Sequence, residues 1–150
     1  HDFHDQQARA LAALPPDWEF VLWGWNFDAV LSLNLLPGVS PAVMVFSQEH
    51  LRTSLDEFQA MQASPALLPL DKAFGIPAYT VSPAGARRLQ ATCFPLTPFR
   101  LRFPLHPQDN ENNGLDIAMN RAYPSLLAYA CLPPLAATPN EHASSTIQVG

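Results

Sequence analysis

The hydrophobic and polar positions of this chain follow two periods, one typical of strands and one typical of helices. Short apolar or β-prone runs predict strands at residues 18–23, 41–46, 78–81 and 125–132. Apolar residues at helical spacing predict helices at residues 4–14, 50–61, 82–89 and 115–122. Because strands and helices alternate, we expect an α/β fold in which residues 1–150 form a single domain.

Three further segments separate these elements. Residues 64–69 are bounded by serine and proline, and residues 106–114 are mostly polar, so both are predicted to be loops. Residues 99–103 predict a short extended segment along which Arg100 and Arg102 alternate with apolar residues.

The first predicted strand, residues 18–23, is almost continuously apolar, which is typical of a strand buried on both faces. Trp25, Asn26 and Asp28 follow its carboxyl end, where open α/β sheets bind ligands. Aromatic faces beside hydrogen-bonding groups suit a sugar, so Asn26 and Asp28 are candidate substrate-binding residues. The alternative interpretation, stronger for Trp23, is that the tryptophans belong to the core.

The most specific local pattern is a turn, a strand and a helix start in succession. Gly75 can adopt backbone angles that other residues resist, and residues 78–81 form the β-prone run. Ser82 followed by Pro83 is a strong helix start, with a capping hydroxyl and then proline at the first helical position. Such a turn brings bare backbone close to a ligand.

Two polar residues in the second half of the chain are candidates for chemistry. Asp116 follows a polar, glycine-containing loop at the start of a predicted helix, where it serves either as a helix cap or as a general base at the edge of a cleft. His142 is either a solvated tail residue or one ligand of a divalent metal whose other ligands are carboxylates.

Composition narrows the choice of function. The chain has a net charge of -5 and seven arginines that form no long run, so we expect no nucleic-acid partner. We expect no transmembrane segment, because no apolar stretch approaches the length that one requires. Cys93 and Cys131 lack metal-binding spacing and are expected to be reduced, partly buried thiols. Sequence motifs for dinucleotides, nucleoside triphosphates, structural zinc and serine nucleophiles are absent.

The chain resembles glycosyltransferase family 25, the lipooligosaccharide-type galactosyltransferases and their relatives. Residues 75–89 are similar to the family signature Gly-x-x-Ala-Tyr-x-x-Ser-x-x-Gly-Ala-x-x-Leu. Residues 114–116 are similar to the family's downstream aspartate segment. Residues 129–134, with residues 144–147, are similar to its closing Tyr, Pro and Ser-x-Ile pattern.

The resemblance implies a GT-A-like fold that binds a nucleotide-diphosphate sugar and a saccharide acceptor for lipopolysaccharide biosynthesis. It implies that Asp116 is the catalytic base of an inverting hexose transfer, with galactose as the expected sugar. It implies that His142 binds the metal, Mn²⁺ or Mg²⁺, and that the protein is cytoplasmic or peripheral to the inner membrane. The implied substrate-binding residues are Gly75, Ala78, Tyr79 and Ser82, beside Asn26 and Asp28.

The chain departs from the family in one respect. The family's acidic metal-binding motif, Glu-Asp-Asp or Asp-x-Asp, does not occur here, and by the resemblance it would precede His1. We therefore expect the C-terminal part of a transferase with an incomplete sandwich, weak or inactive by itself, whose exposed strand edges favour a homo-oligomer. The alternatives are a non-catalytic module that binds carbohydrate or protein, and a purely structural domain.

Overall fold

The computed structural model describes residues 3–26, 30–61, 64–105 and 109–138. Within these ranges the α-helices are Phe3–Ala12 (α1), Gln48–Thr53 (α2), Leu55–Ala60 (α3), Pro83–Cys93 (α4) and Leu115–Met119 (α5). A turn of 3-10 helix covers Tyr123–Ser125. The strands are Phe20–Gly24 (β1), Val30–Leu36 (β2), Ser40–Val45 (β3), Ala66–Ala73 (β4), Ala78–Val81 (β5), Arg100–Arg102 (β6), Asp109–Glu111 (β7) and Ala128–Leu132 (β8).

Six of the strands form one mixed sheet in the order β3-β2-β4-β8-β1-β5. Strands β1 and β8 are parallel, with Phe20 opposite Ala128, and the other neighbouring pairs are antiparallel. Strands β6 and β7 form a separate two-stranded sheet. The prediction of a mixed α/β fold is confirmed at this level.

Strand β1 lies at the centre of the core. All five of its residues are buried, as its continuous apolarity predicts. Successive side chains point to opposite faces of the sheet. Phe20 and Leu22 join the larger cluster, which includes Leu126 and Ala118. Val21 and Trp23 join a second cluster, which includes Ala10 of α1.

The start of α4 forms as its sequence predicts. The Ser82 hydroxyl accepts a hydrogen bond from the Gly85 N–H at 3.1 Å, and Pro83 occupies the first turn. Gly85 is buried, and a Cβ atom there would lie 2.2 Å from the Glu19 carbonyl oxygen. The glycine therefore lets α4 pack directly on the backbone before β1.

Strands β2 and β4 depart most from the sequence-based expectations. The predicted loop at residues 64–69 is wrong from Ala66 onward, because β4 begins there and Pro69 pairs with Tyr129 of β8. Strand β2, where no strand was predicted, forms a local hairpin with β3 and also pairs with β4. Strand β4 pairs with β2 and β8, which are distant in sequence, and short-range periodicity does not report such pairing.

Two further predictions, one of a helix and one of a loop, are also wrong in part. The helix predicted over residues 50–61 is divided at Ser54, whose hydroxyl donates to the His50 carbonyl at 2.6 Å and so competes with helical bonding. In the predicted loop at residues 106–114, Asp109–Glu111 forms β7 and pairs with β6.

The two cysteines are free thiols, and both are buried. Burial raises the pKa of both thiols, that of Cys131 to about 12, so neither is ionised near neutral pH. In the part of the chain that the structure describes, no helix combines the length and the apolarity that crossing a membrane requires.

Candidate functional site

A cleft of about 640 Å³ lies beside Asn26, two residues beyond the carboxyl end of β1. Its wall combines apolar side chains with amides and carboxylates. The lining residues are Asn26, Val30, Val45, Phe46, Phe74, Asn110, Glu111, Asn113, Asp116 and Ile117. Asn26 and Asp116 were both predicted as site residues, and the fold brings them into one cavity.

The turn at Gly75 closes against Asn26. Gly75 has a φ of 68°, a left-handed conformation that favours glycine. The Asn26 N–H donates to the Phe74 carbonyl oxygen at 2.9 Å. The conformation therefore favours glycine, and a Cβ atom at residue 75, 2.2 Å from Asn26 Oδ1, would have to displace the Asn26 side chain. Bare backbone at residue 75 therefore lies against Asn26, and its approach to a ligand stays a prediction.

Asp116 contacts the same turn. Helix α5 begins after Gly114 without a side-chain cap hydrogen bond. Asp116 is half-buried, and its Oδ2 accepts a hydrogen bond from the Gly75 N–H at 3.3 Å. The bond joins residues 41 positions apart in sequence, so the carboxylate ties two elements of the cleft wall together instead of capping its own helix.

The phenylalanines of the cleft are supported from behind by other rings. Phe74 stacks on Phe103 with ring centroids 4.1 Å apart, and Phe46 packs against Trp25 at 5.6 Å. Trp25 and Trp23 are both almost fully buried, so the core interpretation of the tryptophans is correct. The cleft thus receives its aromatic surface from phenylalanines that the sequence did not single out.

The charges around the cleft are negative. Its described lining includes two carboxylates, Glu111 and Asp116, and no lysine or arginine. Glu111 meets Arg100 in an exposed ion pair at 3.4 Å. An exposed pair of this kind contributes little to stability and leaves the charge accessible to solvent. The described wall therefore suits a neutral hydrogen-bonding ligand better than an anion.

Tyr123 lies near Asp116 in the core. Its hydroxyl is buried, and within the described residues it has no hydrogen-bond partner. Burial, the largest cause, raises the pKa of the phenol above its ordinary value, and the negative charge of Asp116 raises it further. Tyr123 is therefore neutral near neutral pH.

Gly75 directly follows the lining residue Phe74 but is not itself in the cleft lining, and neither are the remaining predicted site residues that the structure describes. Ala78 packs with the cluster of α1, Tyr79 stacks on Phe20, and Ser82 caps α4. A ligand-binding role for these three stays a prediction. Asp28 and His142 lie outside the described residues.

Sequence reasoning missed several residues of the wall. Asn110, Glu111 and Asn113 belong to the polar segment predicted as a loop, and its density of amide side chains was the available signal. Asn120 is buried and not part of the lining, but it hydrogen-bonds both to Ala73 and to the backbone of Asp116, and it had no such signal.

The resemblance implies a divalent metal, so the His, Cys, Asp and Glu side chains can be compared with the ligands that such an ion needs. A divalent ion such as Mg²⁺ needs several oxygen ligands in a nearly octahedral arrangement. Across residues 3–26, 30–61, 64–105 and 109–138, no group of three or more His, Cys, Asp or Glu side chains is placed to hold one. The described residues therefore do not fit the metal.

Comparisons of the chain with protein-family models, with curated proteins and with solved structures find no match.

Proposed function

We propose that this chain provides the acceptor side of a glycosyltransferase site of the family 25 type, on a GT-A-like fold, with Asp116 as the catalytic base. The observation that carries the proposal is the hydrogen bond between Asp116, in the wall of the cleft, and Gly75, which directly follows the lining residue Phe74. The resemblance assigns both residues to the site on separate segments, and the two residues are in contact.

The proposed reaction is the inverting transfer of galactose from uridine diphosphate galactose to a cell-surface saccharide. The acceptor hydroxyl oxygen bonds to the anomeric carbon while the bond from that carbon to the diphosphate oxygen breaks. Asp116 accepts the hydroxyl proton. Because the Gly75 N–H engages Oδ2, we assign the proton transfer to Oδ1.

The character of the lining supports a saccharide in this cleft and a nucleotide diphosphate elsewhere. The amides of Asn26, Asn110 and Asn113 can each donate and accept hydrogen bonds, as sugar hydroxyls require. Phe74 offers an apolar surface for the C–H groups of a sugar ring. A diphosphate would be repelled by Asp116, whose charge no lysine or arginine of the described lining offsets, whereas Glu111 is paired with Arg100.

A non-catalytic carbohydrate-binding module is the second candidate. The observation that favours it is the same set of amides, because hydrogen bonding to a neutral sugar needs no reacting group. The two candidates differ in whether Asp116 affects product formation or only binding.

The test combines binding and turnover on the full chain. The ¹⁵N-labelled protein is titrated with lactose and, separately, with uridine diphosphate plus Mn²⁺, while amide shifts are followed by NMR. Uridine diphosphate galactose and lactose are then incubated with the protein, and a trisaccharide product is sought by mass spectrometry. We expect lactose to shift Gly75, Asn110 and Asn113, and we expect a slow transfer reaction.

Asp116→Asn is the decisive variant, and Asp109→Asn is its matched control because Asp109 carries the same charge outside the cleft lining. We expect Asp116→Asn to slow the transfer by about 10²- to 10⁴-fold, the usual contribution of a general base. Asp109→Asn should leave the rate unchanged. Lactose binding without product would favour the binding module, and the absence of both would overturn both candidates.

A further inference from the structure

Asn120 makes an unusually complete set of hydrogen bonds in the core beside the cleft. It is 1% exposed. Its Oδ1 accepts from the Ala73 N–H at 2.8 Å, and its Nδ2 donates to the Ala73 carbonyl oxygen at 2.8 Å. The second Nδ2 proton goes to the Asp116 carbonyl oxygen, also at 2.8 Å. Both amide protons and one lone pair of the oxygen are therefore used.

These bonds connect the two segments that meet at the cleft. Ala73 is the last residue of β4 and lies two residues before Gly75. Asp116 lies one helical turn before Asn120 in α5. The side chain of Asn120 thus fixes the backbone of residue 73 relative to the backbone of residue 116, within a few bonds of the Gly75 N–H and the Asp116 carboxylate.

We infer that Asn120 is a positioning residue that sets the contact between Gly75 and Asp116, and with it the orientation of the Asp116 carboxylate in the cleft. The catalytic part of this inference, the orientation of the base, rests on the proposed function. Its geometric part, the dependence of the Gly75–Asp116 contact on Asn120, stands on the hydrogen bonds alone.

A substitution separates the shape of Asn120 from its hydrogen bonding. Asn120→Asp keeps the size of the side chain and an acceptor for the Ala73 N–H. It removes both donors and turns a carboxylate toward the carbonyl oxygens of Ala73 and Asp116, which is unfavourable in the core. Asn120→Ser is the second variant, because it introduces no charge and serves if the first fails to fold.

Thr80→Val is the matched control for a general loss of stability. The Thr80 hydroxyl accepts hydrogen bonds from Trp23 Nε1 at 2.8 Å and from Gln7 Nε2 at 3.0 Å, outside the cleft lining. The variant loses two part-buried side-chain hydrogen bonds and nearly preserves the volume of the side chain. It should destabilise the fold without reaching the Gly75 turn.

The measurement is the hydrogen exchange of the Gly75 amide relative to that of Leu22 in the buried strand β1. Local opening near one site changes this ratio, whereas a global loss of stability acts on the core amide as well. We expect the relative protection of Gly75 to fall about tenfold in the Asn120 variants, which corresponds to a hydrogen bond of about 1.4 kcal/mol. We expect it to be unchanged in Thr80→Val.

The outcomes distinguish this inference from the proposed function. An unchanged ratio in the folded Asn120 variants would overturn the positioning role, even if Asp116→Asn abolishes transfer. A fall in the ratio together with normal transfer by Asp116→Asn would retain the geometric role and overturn the proposed chemistry. If both hold, Asn120→Asp should lower the transfer rate about tenfold while lactose affinity stays within about threefold, the separation expected of a group that orients a base.

Discussion

Glu19 and Asp116 are two carboxylates withdrawn from solvent, and their surroundings differ. Glu19 is buried, and it accepts hydrogen bonds from Arg88 at 2.7 and 2.8 Å and from the Leu127 N–H at 3.0 Å. Asp116 is half-buried and accepts a bond from the Gly75 N–H at 3.3 Å. A charge with a full set of partners stabilises the fold around it, whereas a charge with few partners stays available to a ligand.

The glycines beside the two acids repeat this difference. Gly85 packs on the backbone carbonyl of Glu19, where nothing can yield without moving the strand or the helix. Gly75 packs on the end of the Asn26 side chain, which can rotate away. The surroundings of Glu19 are therefore rigid, and those of Asp116 are adjustable.

The largest effect should come from Gly85→Ala. The new Cβ atom would lie 2.2 Å from the Glu19 carbonyl oxygen, so α4 must shift away from β1. We expect a loss of about 3 kcal/mol in the free energy of unfolding, measured by chemical denaturation. Gly38→Ala is the control: Gly38 has a φ of 75°, and a Cβ atom there would meet nothing within 4 Å, so it should lose only about 1 kcal/mol. Equal losses would show that the contact with Glu19 is not rigid.

Glu19→Gln tests the charge itself. The variant removes the charge that Arg88 and Leu127 stabilise, and because Arg88 is half-exposed we expect a moderate loss of about 2 kcal/mol near neutral pH. Burial alone would raise the pKa of the Glu19 carboxyl, but the Leu127 amide and Arg88 outweigh it and lower the pKa below its usual value.

The lowered pKa fixes the sign of the pH dependence. The stabilisation by ionised Glu19 is present above the unfolded-state pKa of about 4.3 and is lost as the pH falls through the lower folded-state pKa. Thermal unfolding of wild type and Glu19→Gln between pH 7 and pH 3 should show the difference in Tm shrinking below about pH 4.3. A difference that stays constant or grows on acidification would contradict this account.

Features encoded by neighbouring residues could be predicted from the sequence, and features that depend on long-range packing could not. The start of α4 was predictable because Ser82, Pro83 and Gly85 encode it within four residues. Strand β4 was not, because it depends on pairing with β2 and β8, which are distant in sequence, whereas β2 belongs to a local hairpin with β3 that sequence reasoning overlooked. The residues of the cleft were partly predictable: Asn26, Gly75 and Asp116 carry distinctive local patterns, but their contact depends on the tertiary fold.

Asn120 illustrates the limit of local reasoning. An asparagine near the end of a short helix has the appearance of an ordinary cap, and its partners at Ala73 are 47 residues away in sequence. No spacing rule connects two such positions. Buried side chains that bond to remote backbone are therefore found only when the packing of the elements is known.

Gly75→Ala should have a smaller effect on stability than Gly85→Ala and a larger effect on the cleft. The backbone strain should match that of Gly38→Ala, at about 1 kcal/mol, because both glycines have a similar positive φ. Displacement of the Asn26 side chain should add up to about 1 kcal/mol. We expect lactose-induced shifts at Asn110 and Asn113 to weaken in Gly75→Ala but not in Gly38→Ala. Shifts of equal size in the two variants would show that Gly75 does not contribute to the site.

Asp116→Asn should have the smallest effect on stability of the four changes. The amide retains an oxygen that can accept from the Gly75 N–H, and no cation of the described lining loses a partner, so we expect a change of less than about 0.5 kcal/mol. Chemical denaturation of Asp116→Asn and Glu19→Gln at neutral pH compares how much each carboxylate contributes to the free energy of unfolding. A loss at Asp116 as large as that at Glu19 would make Asp116 a structural acid and end the distinction between the two sites. A small loss combined with abolished transfer would locate the contribution of Asp116 in the reaction, since its charge would then be dispensable for folding.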